Sequence, residues 1–226
     1  TYRGQKVLSV SATGIKPDGS RSEEFKEEQL FSAAVNQLKI TNVTEEAGSS
    51  TFYYLTDAGG NIVTTIDSGA YVVSKRHFTY NEMKLPSRIK FEVSSADKNI
   101  NETEEHVWVY NTKDKPVKMF RIKNGSDTVT IHLQLDENGN VIEEKPIVRG
   151  EEGEPVLYYY DDMNRLTDIV RYNTKAQMLL PDYMFEYDEK NNVIQKITTV
   201  PGKQTGYIIW RYLYNEAGLK TKEAVY

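Results

Sequence analysis

The sequence predicts a mainly β fold: an antiparallel meander of tandem β-hairpin repeats forming a large, strongly curved sheet or barrel-like shell. Three observations predict it. A short turn motif recurs along the chain, its copies are evenly spaced, and tyrosine is in excess, with 16 copies against 7 Phe and 2 Trp in 226 residues. Tyr and Thr favour strands because their bulk fits a pleated, half-buried surface.

The motif reads aromatic, any residue, Tyr, Asp or Asn, two residues, then Gly or Asn. It is fullest at Tyr158-Tyr159-Tyr160-Asp161-Asp162-Met163-Asn164-Arg165-Leu166-Thr167. It returns at Phe185-Glu186-Tyr187-Asp188 with Asn191, and at Tyr212-Leu213-Tyr214-Asn215 with Gly218. Upstream copies lie at Leu133 to Gly139 around Asp136, and at Trp108 to Asp114 around Asn111. Looser copies lie at Phe78 to Lys84 around Asn81, and at Tyr54 to Gly60 around Asp57. The Asx positions 57, 81, 111, 136, 161, 188 and 215 differ by 24, 30, 25, 25, 27 and 27. A near-constant step of this size marks a repeat array.

One unit can be built from local chemistry. The Asx side chain bonds backbone two residues on and starts a type I turn. The fourth turn position favours a left-handed conformation, which suits Gly60, Gly139 and Gly218, and after Gly suits Asn164, Asn191 and Asp114. Lys84 is the poor fit there. The two aromatics entering the turn, such as Tyr158 and Tyr160, are two apart and share a strand face. A second extended run follows, and second turns at 124–127, 150–155 and 201–203 close the unit. Pro86 and Pro116 lie early in outgoing runs, where a ladder donor is lost, so they mark bulges, edges or strand starts. Leu219 stands one place earlier than its counterparts, which predicts a shifted register in the last unit. Fourteen or more strands follow. A sheet that large must twist, split or close.

The first quarter reads differently. Residues 7–12 predict a strand and Pro17-Asp18-Gly19-Ser20 a turn. Ser20 with Glu23 fits a capping box. Leu30, Phe31, Ala34, Val35 and Leu38 follow helical spacing, which predicts a short helix near 21–37. Residues 38–43 then return as a strand. The expected organisation is a strand/helix cap over 1–45 and an array of about seven hairpins over 46–226, as terminal units of repeat proteins often cap the array.

Composition narrows the function. The net charge is −5 with no block of Lys or Arg, which argues against a nucleic-acid partner. There is no Cys, so this chain holds no disulfide and no thiolate ligand or nucleophile. No apolar run approaches the roughly 20 residues of a membrane-spanning helix. His77, His106 and His132 have no metal-ligand spacing. Asp136-Glu137-Asn138-Gly139-Asn140 begins like a calcium loop, but its sixth position is Val141 and not Gly. The acidic pairs Glu23-Glu24, Glu143-Glu144 and Glu151-Glu152 have nothing to hold them across a sugar. No catalytic residue, metal or cofactor is therefore expected. Asn42, Asn101 and Asn124 open glycosylation sequons, on which no function is based. The feature with functional promise is the aromatic ladder Tyr54, Phe78, Trp108, Tyr158, Phe185 and Tyr212. Turned inward it is core; turned outward it is a stripe suited to sugar rings or a partner protein.

The string Tyr160-Asp161-Asp162-Met163-Asn164-Arg165-Leu166-Thr167 resembles the YD repeat of bacterial Rhs-type surface proteins and toxin shells. That pattern is Tyr-Asp, two residues, Gly-Arg-Leu-Thr, with Asn164 here in place of its Gly. Tyr187-Asp188 and Tyr214-Asn215 match less fully, and the resemblance covers roughly 53–226. It implies a short version without toxin cargo, since the Asp-Pro-containing self-cleavage motif of that family is not found. It also implies an exported bacterial cell-envelope protein of the periplasm or outer surface, lipid-anchored through a cysteine outside this sequence. A start at Thr1 fits removal of a leader, or a domain boundary. The expected function is a non-catalytic scaffold or binding role toward a glycan or another envelope protein. A carbohydrate-binding module is the alternative, and a hydrolase is the third reading. Oligomeric state is left open.

Overall fold

The computed structural model describes residues 7–45, 48–97, 99–200 and 206–226. The turn expected at 201–203 lies outside the described residues. Among the described residues eighteen strands form an antiparallel meander. The first nine are β1 (Ser9–Ile15), β2 (Arg21–Ser32), β3 (Gln37–Thr44), β4 (Gly48–Thr56), β5 (Ile62–Ser68), β6 (Val72–Tyr80), β7 (Pro86–Ser95), β8 (Asn101–Tyr110) and β9 (Pro116–Lys123). The rest are β10 (Asp127–Leu135), β11 (Val141–Val148), β12 (Glu151–Glu152), β13 (Val156–Tyr160), β14 (Leu166–Asn173), β15 (Met178–Tyr187), β16 (Val193–Thr199), β17 (Tyr207–Tyr214) and β18 (Lys220–Val225). Pro86 and Pro116 both open strands, where the missing N–H costs no ladder bond.

The chain forms two compact units. One comprises Val109–Met119 with Val129–Tyr226, and the other holds the described residues up to 108 together with Phe120–Thr128. In the N-terminal unit each strand from β1 to β8 pairs with the next. In the C-terminal unit pairing runs from β10 through β11, β13 and onward to β18, with β12 a short edge piece on β11. Among the described residues no pairing joins β1 to β8 or β10 to β18, so neither unit closes into a barrel.

The helix expected near 21–37 is instead the twelve-residue strand β2 followed by one 3-10 turn at Ala33–Val35. Glu, Lys and Gln are good helix formers locally, but pairing on both sides of β2 overrides propensity. Its side chains then meet at i,i+2 and not i,i+4. Lys26 bonds Glu28 at 2.7 Å and Gln29 bonds Glu27 at 2.6 Å. Asn36 closes the 3-10 turn in the left-handed region, with φ 47°.

The repeat unit is uniform in detail. In all seven turns the Asx N–H donates to the carbonyl four residues on, and the fourth residue's N–H returns to the Asx carbonyl. The fourth residues Gly60, Lys84, Asp114, Gly139, Asn164, Asn191 and Gly218 all have φ between 58° and 89°. Lys84 adopts this left-handed shape as the others do, within the same set of turn bonds made at Asn81. Each described hairpin register then slips by one residue, so that Val63, Ser87, Ile142, Thr167, Ile194 and Thr221 are bulges six residues past the Asx. Bulges raise local twist, which bends each strand pair. The last unit keeps this register, with Tyr214 opposite Lys220 as Tyr187 is opposite Val193. The shift expected from Leu219 does not occur, because the turn's hydrogen bonds set the register and not the apolar side chain.

The core is thin. Only Met119, Ile131 and Leu133 are buried among the described residues, all in the C-terminal unit. Most other inward side chains are half-buried. We expect Gly139→Ala to lower stability by about 1 kcal/mol, since its φ of 82° disfavours a Cβ. The added methyl would also meet Lys115 Cε at 2.6 Å, which the flexible lysine can relieve by moving. Urea unfolding of Gly139→Ala beside Gly139→Asn checks this, and the Asn variant should lose less.

Candidate functional site

Each turn is built around the Asx side chain. Its Oδ1 accepts the N–H four residues on in every copy, at 2.8–3.0 Å, from Asn61, Leu85, Lys115, Asn140, Arg165, Asn192 and Leu219. In several copies it also accepts the N–H two residues on. Where the residue is Asp, the second oxygen takes a further bond from Asn61, Asn140, Arg165 or Asn192. These bonds favour the charged form, so Asp57, Asp161 and Asp188 are held below the usual carboxylate range. At Asp136 desolvation opposes the same set of bonds, and the net direction is still down. Each of these carboxylates is thus bonded through both oxygens to its own turn.

The tyrosine preceding the Asx does something the sequence did not disclose. Its hydroxyl donates to the carbonyl of the first outgoing residue of the previous hairpin. The bonds run from Tyr80 to Ile62, Tyr160 to Val141, Tyr187 to Leu166 and Tyr214 to Val193, at 2.7–2.8 Å. Burial raises all four phenols, helped by the preceding turn's Asp57, Asp136, Asp161 or Asp188. Thr56 makes a shorter-reaching version, donating its N–H and hydroxyl to the Asn36 carbonyl. The fifth turn residue adds a second tie. Arg165 bonds the Asp188 carbonyl and Asn191, and its guanidinium lies 4.7 Å from the Tyr187 ring centre. Asn140 and Asn138 likewise bond Asn164. The one available signal was the Tyr that precedes five of the seven Asx residues, at 80, 110, 160, 187 and 214, where packing alone would accept Phe.

The ladder residues occupy equivalent strand positions and all are half-buried. Tyr54, Phe78 and Trp108 belong to the N-terminal unit, and Tyr158, Phe185 and Tyr212 to the C-terminal unit. Within the C-terminal unit, cross-strand partners put Tyr158 beside Ile169 and Phe185 beside Lys196, which faces Trp210. The Tyr183 and Phe185 rings are stacked at 6.2 Å, and Lys196 Nζ lies 4.6 Å from the Trp210 ring centre. Burial pushes the Tyr158 phenol well up, with Glu144 beside it adding to the effect. The indole N–H groups of Trp108 and Trp210 are buried and have no acceptor among the described residues.

Other candidate chemistry is dispersed. His106 Nε2 lies 2.7 Å from Glu104, and its ring packs on Phe91. His77 touches Thr64 and Glu92. His132 is exposed on β10. Glu143 and Glu144 are consecutive strand residues and point to opposite faces. Glu151 and Glu152 lie on exposed β12, where Glu152 pairs with Lys145. Among the described residues no three His, Asp or Glu side chains converge to hold a metal. No described helix is long and apolar enough to cross a membrane.

No family model and no curated protein matches the chain. Solved structures do. One is the "TcdB2-TccC3-Cdc42" crystal structure, at 11% identity and TM-score 0.41, covering 96% of this chain and 12% of that one. Another is a porin-like protein from Bacteroides uniformis, at 9% identity and TM-score 0.44, covering 96% and 94%. A third is the Photorhabdus luminescens Tc holotoxin pore, at 9% identity and TM-score 0.33, covering 96% and 16%. This chain thus spans about an eighth of the length of the first. These are likenesses of strand arrangement at low identity, and nothing about activity follows from them.

Tyr187→Phe should lower stability by about 1 kcal/mol, the usual net worth of one hydrogen bond, while keeping the ring under Arg165. Tyr159→Phe is the control. Tyr159 is 49% exposed and makes no such bond, so chemical denaturation should find it unchanged.

Proposed function

We propose that the chain is a non-catalytic scaffold or binding protein of the bacterial cell envelope. One observation carries the non-catalytic part: the polar residues that recur with the repeat are consumed by its own turns. Asp57, Asp136, Asp161 and Asp188 each hold their hairpin's amides, and the repeating tyrosine hydroxyls hold carbonyls. A catalytic site needs polar groups that converge and remain available to a reacting atom. The half-buried aromatic ladder supports a binding role, since a face neither sealed nor fully wet can receive a flat apolar ligand surface.

The envelope assignment rests on the resemblance of Tyr160-Asp161 through Thr167 to the YD repeat. In the same way the chain is read as a YD-like repeat array. Fractionation of the source bacterium, with antibody to this chain, tests the reading. The protein should be found with membranes or periplasm. Recovery in the cytosolic fraction, with a cytosolic marker, would overturn it.

A further inference from the structure

The N-terminal unit contains a small hollow on its aromatic face. It is formed where β4, β5 and β6 run side by side, and its volume is about 90 Å³. The ladder residue Tyr54 and its strand neighbour Phe52 form one side. Thr65 and Asp67 stand opposite them on β5, and Arg76 and Ser74 stand opposite those on β6. All six therefore share one sheet face, because directly paired residues point the same way.

Two of these side chains are conspicuous for what they do not do. Asp67 and Arg76 carry opposite charges one diagonal apart, yet they form no ion pair with each other. Among the described residues neither makes a hydrogen bond or salt bridge elsewhere. By contrast, on the opposite face of the same sheet the charges are paired, His77 and Lys90 with Glu92 and Arg88 with Glu105. Arg76 is oriented instead by the Phe91 ring, whose centre lies 5.7 Å from the guanidinium carbon. The hollow thus offers a carboxylate acceptor, a guanidinium donor, two hydroxyls and an aromatic wall.

That set matches one ligand chemistry. A pyranose presents vicinal hydroxyls, which a carboxylate accepts from and a guanidinium donates to, and an apolar C–H face that packs on an aromatic ring. A carboxylate-bearing sugar would meet Asp67 as well as Arg76, so the hollow selects a neutral one. We propose that the Tyr54–Asp67–Arg76 hollow is a binding site for a neutral hexose unit of a glycan. This deepens the binding role proposed above and rests on it.

The test is calorimetric titration of the full chain with neutral hexo-oligosaccharides: maltohexaose, cellohexaose and mannohexaose, with oligogalacturonate as the charged comparison. At least one neutral probe should bind saturably, and oligogalacturonate about tenfold more weakly or not at all. Asp67→Ala and Arg76→Met should each weaken binding about tenfold or more, the scale of a lost bond to a charged group. Tyr159→Phe, in the other unit and outside the ladder, should leave it unchanged. Unaltered thermal midpoints for Asp67→Ala and Arg76→Met show that each still folds. No saturable binding by any neutral probe overturns the proposal, and so does binding that both variants retain in full. In that last case the binding role survives and only the site is wrong. A cytosolic location would remove the envelope reading without bearing on the titration.

Discussion

A phenol reaching from one hairpin to the backbone of the hairpin before it is the contact on which this array depends. A hairpin alone is marginal in water, since it buries little on either side. Strand pairing joins the hairpins, and among the described residues only Met119, Ile131 and Leu133 are buried. The hydroxyls of Tyr80, Tyr160, Tyr187 and Tyr214 bond carbonyls 18 to 21 residues back, beside the bulge of the previous hairpin. Each bond is worth about 1 kcal/mol. Its main effect is geometric: it fixes how one bulged turn sits on the next.

The turn itself is the second half of that constraint. One Asx oxygen holds the turn's far amide in all seven copies, whether the residue is Asp or Asn. That explains why the register of the last hairpin is the same as the others despite Leu219. It also explains why Lys84 tolerates φ 61°. A non-Gly residue in that region costs roughly 1–2 kcal/mol, which the amide bonds at Asn81 offset.

Much of this was legible in the sequence. Asx and Gly act within five residues, so Asp57, Asn81, Asn111, Asp136, Asp161, Asp188 and Asn215 announced their turns. The tyrosine bond was not legible, because its acceptor is a backbone carbonyl that every residue has. The bulges at Ser87 and Thr167 left no mark either, since many residue types fit them. The stretch 21–32 misled because its propensity is local while its partners, β1 and β3, are not. Of the candidate site, Tyr54 was visible as a ladder member. Its companions Asp67 and Arg76 were not, because only strand pairing places residues 9 to 22 apart in sequence on one patch. The ladder was expected to be either core or exposed stripe, and each of its six aromatics is half-buried.

Native-state hydrogen exchange tests the central claim most directly. If the Asx turns and tyrosine ties hold the array, the amides of Asn61, Leu85, Asn140, Arg165, Asn192 and Leu219 will exchange slowly, nearly as slowly as mid-strand amides. Their protection will then recur with the repeat, and Tyr187→Phe will speed exchange at both turns it joins, around Asp161 and Asp188. Fast exchange at all the turns, with protection confined to strand centres and untouched by Tyr187→Phe, would contradict the account.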